Sequence, residues 1–180
     1  MPYSEDFFDE DIQNLILKWG YKSFLDIGAG AGKYGKMIRE MIPNANITGI
    51  EIDSEYINKF DLDGKYDRLL NTNIITFIRD NPGFVTDVVI IGDLIEHLPK
   101  SEGIDLINYL VYRTAKIIVV YPRKYIQYDI DNKSHEVHRS VWSANDFINF
   151  EFEIKERNFI SMIVVNGYLI DKEAIIKPYG

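Results

Sequence analysis

Residues 24–35 read FLDIGAGAGKYG. A short apolar run, Phe24, Leu25 and Ile27, is interrupted by one acid, Asp26, and ends in glycines at every second position: Gly28, Gly30 and Gly32. The pattern predicts a buried strand that turns sharply into a helix. Glycines there permit positive φ and let a ligand lie against bare backbone, while the first turn of the helix presents unpaired N–H groups. A second acid, Glu51, ends the next apolar run, ITGIEID at 47–53. Two acids around a glycine turn suggest a ligand rich in hydroxyl and amino donors, which points to a nucleoside.

Outward from this turn the chain alternates. An amphipathic helix is expected over 5–19, capped by Ser4 and ended by Gly20, in a covering role. Strand 22–27 and the glycine turn lead to a helix at 33–41. Strand 46–51, a helix near 54–60 capped by Ser54, a turn at 61–65, strand 67–71 and a helical stretch at 74–79 follow. VTDVVIIGD, 85–93, is apolar almost throughout, as suits a parallel strand buried on both faces. Helix 101–114 and strand 116–121 follow, then a polar and aromatic stretch, 123–142, without periodicity. A helix is expected at SANDFINF (143–150), and alternating runs at 152–159 and 161–172 imply an antiparallel hairpin. The tail beyond Lys172 is expected to fray. Five βα units closed by a hairpin make an α/β domain with a mostly parallel sheet. Ligands in such sheets bind at the carboxyl ends of the strands.

The 180 residues are read as one domain, long enough to bury roughly 70% of the unfolded surface. Net charge is −8, with a pI near 4.9, which disfavours a general nucleic-acid binder. Absence of cysteine excludes disulfides, thiolate metal sites and a Cys nucleophile. The opening MPYSEDFFDEDIQ has no apolar signal core, and no run approaches the ~18 apolar residues of a membrane span. A cytoplasmic protein without membrane contact is expected.

LDIGAGAG at 25–32, GIEID at 49–53, NTNI at 71–74 and DVVIIGDLIEHLP at 87–99 together resemble the class I S-adenosylmethionine-dependent methyltransferases, over nearly the whole chain. The resemblance implies a Rossmann-like three-layer sandwich whose seven-stranded, mostly parallel sheet carries a C-terminal antiparallel hairpin. It implies S-adenosyl-L-methionine as cofactor. Asp26 would hold the methionine amino group, and Gly28, Gly30 and Gly32 would pass under methionine and ribose. Glu51 would accept from the ribose hydroxyls, with Ile52 beside it. Asn73, where the family often has Asp, would meet the adenine amino group through its carbonyl, and Ile74 would flank the ring. Asp93 and Leu94 would face the methyl donor.

Three alternatives compete with this reading. Gly30-x-Gly32-x-x-Gly35 also fits a dinucleotide pattern, but Asp26 would repel a pyrophosphate. Asp93, Glu96, His97 and one of His135 or His138 can form a mixed O/N divalent-metal site, resembling RNA 3′-terminal 2′-O-methyltransferases; the favoured reading uses no metal. A non-catalytic nucleoside-binding subunit with a partner, or a homodimer, is the third. His97, His135 and His138 are candidate catalytic bases. His135, His138 and Trp142 could wall an acceptor pocket; otherwise His138 and Trp142 pack the loop down and His135 is solvated. Without a metal, DLIEHL reads as a loop whose Leu94, Ile95 and Leu98 pack, with Glu96 and His97 partly exposed. Tyr112, Tyr125 and Tyr128 suggest an aromatic pocket. Tyr121-Pro122 lacks the Asn-Pro-Pro-aromatic signature of base methylation, so a small-molecule acceptor is favoured over nucleic acid.

Overall fold

The structure is a computed structural model that describes residues 4–124, 126–128 and 133–169. Helix α1 (Asp9–Trp19) precedes β1 (Ser23–Ile27), α2 (Lys33–Met41), β2 (Asn46–Glu51) and α3 (Ser54–Lys59). Next come β3 (Arg68–Asn71), α4 (Ile74–Asp80), β4 (Val88–Gly92), α5 (Lys100–Val111) and β5 (Lys116–Pro122), then the hairpin β6 (Phe152–Arg157) and β7 (Ile160–Asn166). The seven strands form one sheet in the order β3-β2-β1-β4-β5-β7-β6. The first five are parallel, and β7 lies antiparallel between β5 and β6. The expected sheet and terminal hairpin are both present.

Alternation along the strands divides the core into two layers. Leu25, Ile27, Val89 and Ile91 face the side covered by α4 and α5, with Phe77, Leu106 and Leu110 packed on them. Phe24, Val88 and Ile90 face α1 and α2, meeting Ile12, Ile16 and Ile38. This explains the unbroken apolar run of β4, since a strand covered on both faces has no solvent side. Burying each large aliphatic side chain contributes about 1.5–3 kcal/mol. The chain runs outward from β1 to β3, then returns to β4, so the sheet opens at its carboxyl end between β1 and β4.

Several boundaries differ from the sequence expectation. Helix α1 begins at Asp9 with no side-chain cap, and Ser4 lies elsewhere. Asp53, not Ser54, caps α3 by accepting from the Glu55 amide. The turn after α3 contains a 3-10 segment, Leu62–Gly64, because Leu62 plugs into the α2-side core. SANDFINF forms only a 3-10 turn, Ala144–Phe147, closed by a Ser143/Asp146 capping box. Strand β7 stops at Asn166, where the Gly167 and Tyr168 amides bond the Ala115 and Val111 carbonyls and draw the chain off the sheet. The extension over 170–172, the tail beyond it and Tyr125 lie outside the described residues. Tyr112 is on the far end of the sheet, ring to ring with Tyr168, and Tyr128 is exposed, so neither contributes to an aromatic pocket.

One ring fixes how β2 meets α2. Tyr66, in the loop before β3, fills a slot between two backbones. A Cβ on Gly49 of β2 would stand 2.8 Å from its ring, and one on Gly35 of α2 would stand 2.5 Å away. Gly35, the last glycine of the opening stretch, therefore makes room for an aromatic ring. Gly49→Ala is expected to destabilise the fold by about 1–3 kcal/mol through overpacking. Urea denaturation measures this, and unchanged stability would show that the ring does not hold the slot.

Candidate functional site

The glycine turn is built by the end of β2. The amides of Gly28 and Ala29 both donate to the Ile50 carbonyl, at 2.9 and 3.0 Å. Gly28 takes φ 77°, and a Cβ there would stand 2.4 Å from Leu94, so both backbone and space require glycine. Glu51 then locks the turn. One carboxylate oxygen accepts from the Gly30 amide at 2.8 Å, and the other from the Asp53 amide at 2.8 Å. Glu51 is buried yet lies on the wall of a cavity of about 280 Å³ at the carboxyl ends of β1, β2 and β4. Burial raises its pKa against the pull of the two amides.

The cavity wall includes Gly28, Gly30, Glu51, Ile52, Asn73, Ile74, Asp93, Leu94, His97 and His135. Most residues singled out in the sequence thus converge on one cleft. Gly32 does not line it; it stands at the N-cap of α2, backed by Leu62 and Lys65. Asp26 also lies behind the wall, with its Oδ2 2.6 Å from the Tyr66 hydroxyl, which donates, and Oδ1 buried without a partner. Asn73 lines the cleft, but its carbonyl oxygen, expected to meet adenine, accepts from the Ile75 amide and caps α4.

Beyond β4 the chain tightens. Asp93 adopts φ 47°, a left-handed conformation that non-glycine residues seldom take and that often accompanies function. Burial pushes its pKa up to about 6, and its Oδ2 has no partner. DLIEHL forms a 3-10 turn, Ile95–His97. Glu96 is buried, not partly exposed, and burial next to Asp93 raises its pKa well above the ordinary carboxylate range. Burial and the neighbouring His138 push His97 down to about 4. His97 Nδ1 lies 3.2 Å from the Val137 carbonyl, so a proton on Nδ1 serves that contact and leaves Nε2 as the basic nitrogen.

Two segments close over the cleft: part of the aperiodic stretch that holds the acceptor-pocket candidates His135 and His138, and the residues before α1, where Ser4 is expected only as a helix cap. Residues 133–140 form a strap. Lys133 pairs with Asp53 and, at 2.8 Å, with Glu55; the Tyr56 hydroxyl donates to Glu136 at 2.8 Å; the Arg139 and Ser140 amides donate to the Glu96 carbonyl. His135 leans toward Asp53, with its Nε2 3.3 Å from the carboxylate. His138 instead packs edge-on against His97, ring centroids 4.8 Å apart. Trp142 anchors the strap from below, buried, donating to the Ile95 carbonyl and the Ser140 hydroxyl; it does not wall the cleft. At the other lip, Lys33 donates to the Glu5 carbonyl at 2.6 Å and pairs with Asp9, which brings Ser4 onto the cavity wall. Among the described residues, ligand atoms of Glu96, His97 and His138 lie within 4.8 Å of one another, while Asp93 and His135 fall outside that group. No helix among the described residues is long and apolar enough to cross a membrane.

No protein-family model matches the sequence, and no curated protein matches it. Solved structures do match. An O-methyltransferase family protein from Burkholderia thailandensis superposes with a TM-score of 0.62 at 11% identity, over 90% of this chain and 59% of that one. A SAM-dependent methyltransferase from Archaeoglobus fulgidus gives 0.61 at 17%, over 88% and 94%. The methyltransferase domain of bacterial CtHen1-C gives 0.65 at 17%, over 88% and 95%. The fold is that of the S-adenosylmethionine-dependent methyltransferases. The chain spans somewhat over half the length of the Burkholderia protein and most of the other two.

Burial pushes the pKa of Asp26 from 3.8 up to about 6, with the Tyr66 hydroxyl pulling the other way and Glu51 adding to the rise. An acid held above its free value destabilises the fold once it ionises. The unfolded chain releases its proton first, so stability falls as pH climbs from about 4 through about 6. Asp26→Asn is therefore expected to be more stable than wild type by about 1–3 kcal/mol at neutral pH, with the gap closing near pH 4. Urea titrations at the two pH values measure it, and a gap that does not depend on pH would contradict burial of charge as the cause.

Proposed function

We propose that this chain is an S-adenosylmethionine-dependent methyltransferase acting on a small-molecule acceptor. The observation that carries the reading is Glu51: a carboxylate fixed on the cleft wall by the Gly30 and Asp53 amides, beside a glycine turn, in a methyltransferase fold. Each oxygen keeps a lone pair, which suits the two vicinal hydroxyls of a ribose. Asn73 and Ile74 on one side, and Ile52 on the other, offer an amide and two apolar surfaces to a nucleobase. Gly28 and Gly30 leave backbone open for the amino-acid end. The orphaned oxygens of Asp26 and Asp93 supply negative charge near the end that would carry an ammonium and a sulfonium.

The bound sulfonium supplies an activated methyl group. The chain's residues hold both reactants and exclude water, and positioning of this kind can contribute most of a methyl transfer's acceleration. The strap and the Ser4 segment cover the two lips. His97 lines the cleft and is neutral at physiological pH, so its Nε2 can accept a hydrogen bond from an acceptor hydroxyl or amine, while a pKa held near 4 by burial makes it a weak base. His135 and His138 are weaker candidates. The first is turned to Asp53, and the second stands behind His97 and Glu96.

One observation favours a second reading, a metal-assisted RNA 2′-O-methyltransferase: the Glu96, His97 and His138 group offers one carboxylate and two imidazoles. The net charge of −8 counts against an RNA partner. If the second reading holds, Mn²⁺ raises the thermal midpoint, and His138→Ala abolishes the rise. An unchanged midpoint with saturating Mn²⁺ removes it.

Calorimetry with S-adenosylmethionine, S-adenosylhomocysteine and NAD tests the first reading. The two adenosyl ligands are expected to bind and NAD much more weakly. Glu51→Ala should weaken S-adenosylhomocysteine binding by about 1–3 kcal/mol through lost charged hydrogen bonds. Binding no better than that of NAD, or an unchanged affinity in Glu51→Ala, would overturn it.

A further inference from the structure

We infer that Tyr66 is a positioning residue for the donor: its hydroxyl holds the Asp26 carboxylate behind the glycine turn as a charged acid ready for the ammonium of the ligand's amino-acid end. The inference rests on reading the cleft as an S-adenosylmethionine site.

The geometry is specific. Asp26 lies in the middle of a parallel sheet, on a strand otherwise made of core side chains, with 1% of its surface exposed. A packed apolar residue would fill that place without the cost of burying a charge. Asp26 has a single side-chain hydrogen bond, from the Tyr66 hydroxyl at 2.6 Å, a length typical of an O–H bound to a carboxylate. Its Oδ1 has no partner. Tyr66 reaches it only because Gly35 and Gly49 carry no Cβ, so two glycines on different elements are committed to placing this hydroxyl.

The groups facing Asp26 come from three elements: Tyr66 from the loop before β3, Glu51 from β2, and the Gly35 amide and Tyr34 ring from α2. Tyr34 in turn faces Asp93 and Asp9. None of these is a cation. Glu51 pushes the Asp26 proton on, and the Tyr66 hydroxyl and Gly35 amide push it off. Tyr66 is itself pushed far above the ordinary phenol range by burial and by Asp26, so it stays protonated and serves only as donor. An incoming ammonium would add the positive charge that these neighbours lack. Without the hydroxyl, only the Gly35 amide is left to favour the ionised form, and the acid holds its proton to higher pH.

The test is calorimetric binding of S-adenosylhomocysteine from pH 5.5 to 9 to wild type, Tyr66→Phe, Asp26→Asn and the double variant. Phenylalanine keeps the ring in its slot and removes only the hydroxyl; Tyr66→Met is the second variant lacking it. The ratio of variant to wild-type Kd cancels the ligand's own amine titration. We expect a ratio of about tenfold near pH 6.5 that shrinks toward one at pH 9, where Asp26 is ionised in both proteins. In the Asp26→Asn background Tyr66→Phe should have no further effect. A ratio that is flat with pH, as lost packing alone would give, or a full effect persisting without the acid, overturns the inference while leaving the cofactor reading intact. Wild-type protein that binds no S-adenosylhomocysteine at any pH overturns both.

Discussion

The Glu51 carboxylate holds two turns that belong to different βα units. It accepts from Gly30, after β1, and from Asp53, after β2. Removing it would leave two amides at the rim of the cleft without partners, and unpaired buried donors cost about 1–3 kcal/mol each. Parallel strands bring the ends of β1 and β2 side by side, but they do not by themselves set the turns that follow. This side chain does, and it remains on the cavity wall, where, on the proposed reading, its remaining lone pairs would face the ribose of the ligand. On that reading, architecture and recognition depend on the same group.

Around it the cleft is acidic. Asp26, Glu51, Asp93 and Glu96 are all held above the ordinary carboxylate range, each chiefly by burial. Such a cluster is costly to a folded protein unless something positive completes it. On the proposed reading, a ligand that carries an ammonium and a sulfonium and is rich in hydroxyls would offset that cost, whereas a pyrophosphate would add to it. The strap and the Ser4 segment are fixed by charged pairs, Lys133 to Asp53 and Lys33 to Asp9, which sit next to the same acids.

The glycine turn, the succession of strands and helices along the chain and the terminal hairpin were legible because they leave local marks: periodicity, glycine spacing and an uninterrupted apolar run. Glu51 was legible because it is an acid at the end of the apolar run that follows the glycine turn. The strap was not, because residues 133–140 have no periodicity and are held by partners far away in the chain, Asp53, Tyr56 and Glu96. The packing reading of DLIEHL leaves Glu96 partly exposed because a charged residue there carries no sign of the strap that covers it. Tyr66 left only an indirect trace. Gly35 and Gly49 are glycines in a helix and a strand that no turn explains, and each clears the same ring. Asn73 was placed correctly at the end of β3, but its carbonyl caps α4, a competition that spacing does not reveal.

A crystal structure with S-adenosylhomocysteine tests the central claim most directly. The account predicts both ribose hydroxyls on the Glu51 carboxylate, the Gly30 and Asp53 amides still bonded to it, the base between Ile52 and Ile74, and the amino-acid end over Gly28 toward Asp26. A ligand seated elsewhere, or a Glu51 side chain that leaves the two amides and makes no contact with the ribose, would contradict it.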